Sequence, residues 1–155
     1  MGNLYISELP EIIAMNPILK KMTWKEGMNI QIWNAPSELQ DLISGWEKAG
    51  LINPSSAPDF MIAFVQTEAE VNTYFYELQQ LASEDQQLWM AYPKGSSKRY
   101  KAEINRDSGW AYLGEFGYEG VRQIAIDEDW SALRFRSKKY IKTMTRQFSV
   151  IDQKK

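Results

Sequence analysis

The chain of 155 residues is long enough for one domain with a sizeable core, and its 44% apolar and 25% charged residues are typical of a globular protein. It contains no cysteine and no histidine, which excludes disulfides, Cys or His nucleophiles and the usual zinc sites. Any catalysis would therefore depend on carboxylates, Lys, Tyr, Ser or a bound cofactor.

The net charge of −2 conceals an uneven distribution along the chain. Residues 134–155 hold eight Lys or Arg and one Asp, a charge of +7, whereas the remaining 133 residues carry −9. A basic tail of this kind either binds nucleic acid or an anionic surface, or lies solvated beside the acidic body of its own domain. We interpret it as a solvated tail and keep nucleic-acid binding as an alternative.

The sequence carries no targeting signal that we recognise. No run approaches the ~20 apolar residues of a membrane span. The first residues, MGNLYISELPEII, contain no basic segment followed by an apolar core, so they do not predict a signal peptide. The expected location is the cytoplasm.

Three parts are expected along the chain: a helical preamble at 1–23, a single α/β domain at 24–137 and a basic C-terminal tail at 138–155. The domain opens with residues 28–33, where Met and Ile alternate with polar residues. Alternation of this kind predicts a strand with one buried face.

Capping signals predict three helices. Ser37 and Gln40 have the spacing of a capping box, as do Thr67 and Glu70. Asn105 is a candidate cap for a third helix. Apolar residues follow at helical spacing after each of these signals, most clearly at positions 71, 74, 75, 78, 81 and 82.

Short apolar runs predict the remaining strands. Residues 60–65 are continuously apolar, as expected of a strand covered on both faces, and residues 88–92 form a second such run. Residues 121–126 and 130–135 are strand-like and are joined by the acidic turn 127–129, which predicts a hairpin.

The order of these elements alternates strands with helices and closes with a hairpin. Such an order predicts an α/β fold: a three-layer, mostly parallel sheet with helices on both faces, right-handed crossovers and a C-terminal antiparallel hairpin.

This order resembles the second half of a class I methyltransferase-like Rossmann fold, in which three strand–helix units lead into a terminal antiparallel hairpin. The local sequence over about residues 25–136 resembles a family of small uncharacterised bacterial proteins, a domain of unknown function. In that family a P-K-G-S loop precedes a D-E-x-W-S-x-L-x-F hairpin. The matching segments here are DFMIAFVQTEAEV, LWMAYPKGSS, INRD and VRQIAIDEDWSALRFR. The resemblance implies a degenerate methyltransferase-like fold and no particular activity.

Both S-adenosylmethionine-binding motifs of such folds are missing from the sequence. The class usually ends its first strand in an acidic-x-Gly-x-Gly turn, and a carboxylate after the next strand holds the ribose. Here residues 32–36 are IWNAP, with no glycine before Gly45. The segment that should supply the second strand and its carboxylate is reduced to residues 50–54, GLINP. The sequence therefore predicts no S-adenosylmethionine binding, no other cofactor and no metal.

Candidate site residues follow from the rule that open parallel sheets bind ligands at the carboxyl ends of their strands. The predicted strands end near residues 34–36, 66–67, 93–96 and 127–130, which should share one edge. The candidate ligand-binding residues are Asn34, Pro36, Thr67, Lys94, Gly95, Ser96, Ser97, Arg106, Asp127, Asp129 and Trp130.

The loop after the third strand, PKGSSKR at residues 93–99, is not a Walker loop. Lys94 precedes its only glycine, and no helix begins directly after it. Residues 95–97 could still form a backbone nest that, with the side chains of Lys94, Lys98 and Arg99, holds an anion.

Structural explanations compete at the same edge. Lys94 or Arg106 could pair with Asp127 or Asp129 and fix the loop against the hairpin without any ligand. The acidic turn could instead hold Mg²⁺, although no third ligand is in view. Trp130 could cover a pocket, but we interpret it as a packing residue.

The sequence predicts a non-catalytic binding or regulatory module that recognises a small anionic ligand or a protein partner. One alternative is a small enzyme, with Asp127 or Asp129 as general base and Lys94 stabilising negative charge. The second alternative is nucleic-acid binding through the basic tail, for which the acidic body is a poor match. A homodimer is compatible with exposed strand edges.

Overall fold

The computed structural model describes residues 17–141. Residues 1–16 of the expected preamble and residues 142–155 of the expected tail lie outside the described part. Two single-turn 3₁₀ helices, at Ser37–Leu39 and Lys138–Tyr140, accompany the longer elements. In chain order these are α1 Pro17–Lys21, β1 Ile30–Trp33, α2 Gln40–Lys48, β2 Phe60–Phe64, α3 Glu68–Leu81, β3 Gln87–Pro93, α4 Ala111–Glu115, β4 Tyr118–Ala125 and β5 Trp130–Ser137.

The five strands form one mixed sheet in the order β1-β2-β3-β5-β4. β1, β2 and β3 pair in parallel, with Ile62 of β2 opposite both Ile32 and Trp89. β5 lies between β3 and β4 and is antiparallel to both. β1 to β4 therefore run in one direction and β5 alone runs in the other. Because β5 lies inside the sheet, two of the four strand pairings are antiparallel and the sheet is mixed.

Each face of the sheet carries its own apolar cluster. Along β2, alternate side chains point to opposite faces, and all of them are buried. This double burial explains the continuous apolar run in the sequence. The first face joins Phe60, Ile62 and Phe64 to Ile43 and Trp46 of α2. The second face joins Met61 and Ala63 to Val71, Phe75 and Leu78 of α3.

The two parallel crossovers have opposite hands, which corrects the expectation that all would be right-handed. The steps β1 to β2 and β2 to β3 run in the same direction across the sheet. α2 nevertheless packs on the first face and α3 on the second. A long irregular connection before β2 allows this exception. The side-chain amide of Asn29 donates to the carbonyls of Asn53, Ser56 and Ala57 and ties that connection to the start of β1.

Only one of the three predicted caps forms. The hydroxyl of Thr67 accepts a hydrogen bond from the backbone N–H of Glu70 at 3.1 Å. Ser37 does not cap, because it already lies inside the 3₁₀ turn and Pro36 occupies the cap position. Asn105 does not cap either. Its side chain accepts from the N–H of Asp107, inside a tight turn that ends before α4 begins.

Candidate functional site

The carboxyl ends of the parallel strands are joined to one another by side chains. The amide of Asn34, which follows β1 with a positive φ of 59°, donates to the carbonyl of Phe64 at 2.9 Å and to a carboxylate oxygen of Glu70 at 3.3 Å. The other oxygen of Glu70 accepts from the N–H of Gln66 at 2.7 Å. Of the predicted site residues here, Asn34 therefore joins the ends of β1 and β2. Thr67 caps α3, and Pro36 precedes the 3₁₀ turn.

The loop of residues 94–101 is held in place by Ser97 and Asp129. The backbone N–H of Lys94 donates to the carbonyl of Asp129 at 2.8 Å, and the hydroxyl of Ser97 donates to its carboxylate at 2.8 Å. The same hydroxyl oxygen accepts from the N–H groups of Arg99 and Tyr100, at 3.1 and 3.0 Å. Because these N–H groups are used internally, an anion at this loop would be held mainly by side chains.

The acidic turn between β4 and β5 is stabilised internally. One carboxylate oxygen of Asp127 accepts from the N–H groups of Asp129 and Trp130, both at 2.8 Å. An aspartate that closes its own turn in this way is a common turn-forming device. Asp127 is therefore engaged in local structure.

The ion pairs at this edge differ from those expected. Asp129 lies 3.6 Å from the Nε of Arg99, and Arg106 pairs with Asp107 at 3.2 Å. The expected pairs of Lys94 or Arg106 with Asp127 or Asp129 are thus corrected. Lys94 and Asp129 approach through their backbones and Ser97 occupies one carboxylate oxygen, so the other oxygen lies nearest to Arg99.

Glu38, Tyr100 and Trp130 form a hydrogen-bonded cluster at the centre of this edge, which the sequence did not predict. Trp130, only 1% exposed, donates its indole N–H to Glu38 at 3.2 Å. The hydroxyl of Tyr100 donates to the same carboxylate oxygen. The rings of Tyr100 and Trp130 meet edge to face, with centroids 4.9 Å apart. The signal that could have found this cluster is the buried Trp, whose indole N–H needs an acceptor.

Electrostatics support these assignments of donor and acceptor. Burial on its own would raise the pKa of Glu38, but hydrogen bonds from Tyr100, the Glu38 backbone and Trp130, together with the charge of Arg99, lower that pKa below its ordinary value. Burial, the hydrogen bond to Glu38 and its charge raise the pKa of Tyr100 to about 12. At neutral pH Glu38 is therefore an ionised acceptor and a poor general base.

The crevice in which open α/β sheets hold their ligands is thus filled by packed side chains. Trp130 also contacts Phe64 edge to face, with centroids 5.2 Å apart. What remains open at this edge is an outer groove of about 430 Å³. It is lined by Ser96, Lys98, Arg99, Glu128 and Asp129.

Two other depressions are present. One of about 570 Å³ is at the opposite ends of β1 and β2, beside Trp24, Asn29 and Asp59. One of about 360 Å³ runs along the outer edge of β1, beside Ile32 and Ile52, and reaches the carboxyl end of β1 at Ala35. The strand-end rule could not have predicted the first, because it considers only the carboxyl ends.

Within residues 17–141, no group of three or more acidic side chains is placed to hold a metal ion. No helix there has the length and apolar character needed to cross a bilayer.

Comparisons with known proteins give fold neighbours and no family. No protein-family model matches the chain, and no curated protein matches it in sequence. One similar solved structure is a SAM-dependent methyltransferase from Aquifex aeolicus, with 13% identity and a TM-score of 0.49, covering 82% of this chain and 97% of its own. Another is a protein of the NADB-Rossmann superfamily from Streptococcus agalactiae, with 11% identity and a TM-score of 0.46, covering 89% of this chain and 61% of its own. Similarity at this level carries no argument about activity.

Proposed function

We propose that the protein is a non-catalytic binding module on a degenerate methyltransferase-like scaffold and that it recognises an anionic group at the loop of residues 94–101. The observation that carries the proposal is the unused charge of three of the four cations on this loop, Lys94, Lys98 and Arg99. Within residues 17–141, the only ion pair that they make is the 3.6 Å contact of Arg99 with Asp129. That distance is longer than a hydrogen bond, and the Arg99 side chain is 59% exposed.

The loop is suited to binding because it is ordered before a ligand arrives. Ser97 fixes it to Asp129 and to its own backbone, so little conformational entropy remains to be lost on association. Glu128 and Asp129 line the same groove as Lys98 and Arg99. A groove with both signs of charge favours a small anion that also carries a hydrogen-bond donor, such as a hydroxyl or an amine.

Two features favour binding over catalysis. The central crevice is occupied by the packed side chains of Trp130 and Tyr100, in the position where a related fold would hold its cofactor. The carboxylate at that position, Glu38, has a lowered pKa and already accepts two hydrogen bonds from side chains. Neither feature suits methyl transfer or proton abstraction.

A thermal-shift panel tests the proposal with pyrophosphate, nucleotides, sugar phosphates, acyl-CoA and S-adenosylhomocysteine. A ligand at about 100 times its Kd should stabilise by about 2.7 kcal/mol, which is several degrees for a domain of this size. We expect a shift with phosphorylated ligands that is lost in the double variant Lys98→Gln/Arg99→Gln. The matched control Lys48→Gln removes an exposed charge from the end of α2 and should keep the shift.

Three results would contradict the proposal. A shift with S-adenosylhomocysteine would favour methyl transfer. A phosphate-dependent shift that survives in the double variant would place the site elsewhere. No shift with any ligand would favour a protein partner over a small molecule.

A further inference from the structure

A second concentration of positive charge lies at the other end of β5, on the first face of the sheet. We call Arg122, Arg134 and Arg136 the arginine cluster. Arg122 and Arg134 are directly opposite each other on β4 and β5, and Arg136 follows Arg134 two residues later on the same face. Directly opposed like charges on neighbouring strands are destabilising, so the arrangement needs an explanation.

Two members of the arginine cluster have structural partners. Arg136 forms a bidentate pair with Asp85, with nitrogen–oxygen distances of 2.6 to 3.0 Å. Arg122 donates its Nε to the carbonyl of Lys21 at 3.0 Å, at the end of α1. A cation at the C-terminus of a helix is favourable there.

Arg134 has no such partner. Its Nε is buried and, among residues 17–141, donates to no hydrogen-bond acceptor. Burial lowers the pKa of Arg134, the charges of Arg136 and Arg122 lower it further, and Asp85 offsets part of the effect. A half-buried guanidinium beside two like charges is costly unless an anion compensates for it, and an unbound ion is one of the ordinary explanations for an unsatisfied buried donor.

We infer that the arginine cluster binds a phosphate group, with the guanidinium of Arg134 as its central contact. Guanidinium groups match the oxygens of phosphate with two parallel hydrogen bonds, which lysine does not. Lys20 and Lys21 in the last turn of α1 add exposed positive charge beside Arg122. The carboxylate that acts on Arg134, Asp85, is already engaged by Arg136.

The phosphate could belong to a small molecule or to the backbone of a nucleic acid. Lys138 and Lys139 continue the positive charge beyond β5. Both sources present the same oxygens to Arg134, and they differ in the number of phosphates that bind together and therefore in salt dependence.

The first measurement is a calorimetric titration of the full chain with inorganic phosphate at constant ionic strength. We expect binding to Arg134→Gln to be about tenfold weaker, because a charge-assisted hydrogen bond contributes free energy of that order. Arg134→Lys keeps the charge but not the fork and should be intermediate. Lys48→Gln should bind as the wild type does. Equal affinity in the wild type and in Arg134→Gln would overturn the inference.

Two further arms separate this site from the loop of residues 94–101 and identify the source of the phosphate. Lys98→Gln/Arg99→Gln should retain the part of phosphate binding that depends on Arg134, whatever becomes of the loop proposal. A labelled single-stranded oligonucleotide whose salt slope falls by about one in Arg134→Gln would support a nucleic-acid phosphate. Phosphate binding without competition by the oligonucleotide would support a small molecule.

Failure of the wild type to bind either probe would overturn the inference. Circular dichroism shows whether Arg134→Gln is folded. If that variant is unfolded, Arg134→Lys carries the test, and equal phosphate affinity in Arg134→Lys and the wild type then contradicts the bidentate contact.

Discussion

Trp130 packs its ring in the apolar cluster of the first face and directs its indole N–H to the polar edge of the sheet. Its ring packs against Phe64 and Tyr100, and its indole N–H donates to Glu38. A buried donor without an acceptor would cost roughly 1–3 kcal/mol. The carboxylate of Glu38 therefore has a structural role as the acceptor of this hydrogen bond.

The raised pKa of Tyr100 predicts how the free energy of unfolding changes at alkaline pH. Because the folded protein raises this pKa from 10 to about 12, the folded state holds the phenolic proton more tightly than the unfolded chain does. The contribution of Tyr100 to the free energy of unfolding should be fully present below pH 10 and lost as the pH rises to about 12. Denaturant unfolding between pH 8 and 12 should show a shallower alkaline decline in Tyr100→Phe than in the wild type.

Tyr76→Phe is the matched control for this experiment. It removes a phenol that is 53% exposed on α3, so its alkaline decline should match that of the wild type. Identical slopes for Tyr100→Phe and the wild type would mean that Tyr100 does not donate to Glu38.

The capping-box spacing occurs before α2 and before α3, but it produces a side-chain cap only at α3. Ser37 with Gln40 and Thr67 with Glu70 have the same spacing, but only Thr67 has the extended backbone of a cap, with φ −127° and ψ 159°. At the other position Pro36 has the extended conformation and the chain turns one residue too early for Ser37 to act. The spacing of a capping box does not determine where the turn begins.

Removing the working cap should cost a predictable amount. Thr67→Ala should lower the free energy of unfolding by about 1 kcal/mol, because the N–H of Glu70 loses its acceptor. Thr73→Ala replaces an exposed residue inside the same helix and should be neutral or slightly stabilising, since alanine is the better helix former. Urea unfolding of both variants gives the comparison, and equal effects of the two substitutions would refute the capping role.

Within residues 17–141, the side chains of β2 belong to both apolar clusters, as do those of β3 and β5. Ile62 points to the first face and Met61 to the second, and both are almost fully buried. Two clusters that share a strand cannot separate without breaking the sheet. The described part should therefore unfold as one cooperative unit.

Large-to-small substitutions on the two faces test whether the described part unfolds cooperatively. Ile62→Ala and Met61→Ala should each lower the free energy of unfolding by about 2–5 kcal/mol. Because the clusters share β2, each variant should keep a single transition, with coincident midpoints by circular dichroism and by tryptophan fluorescence. Two separated transitions in either variant would show that the faces unfold independently.

Much of the fold could be predicted from the sequence because its evidence is local. The continuous apolar run at residues 60–65 gave a buried strand, now Phe60–Phe64, and the cap at Thr67 gave the start of α3. The alternation at residues 28–33 gave β1 with two residues too many. The strand-end rule placed the loop at Lys94 and the turn at Asp127 on one edge, where they are joined.

The partners within the site could not be predicted, because they depend on side chains distant in sequence. Glu38 meets Tyr100 and Trp130 across 62 and 92 residues, and no spacing rule connects them. Asp129 lies closest to Arg99 among the basic residues of the loop, because the Ser97 hydroxyl joins the Asp129 carboxylate to the backbone N–H of Arg99.

The sequence by itself determined the alternation of strands and helices, the absence of Cys and His chemistry and the missing glycine turn after β1, since each depends on composition or on neighbours along the chain. Only the tertiary structure decided the position of β5 inside the sheet, the opposite hands of the two crossovers and the closure of the crevice by Glu38, Tyr100 and Trp130. These features depend on packing between segments that are distant in sequence. The burial of apolar side chains and the pairing of polar groups must be satisfied there at the same time, and no local sequence pattern encodes that outcome.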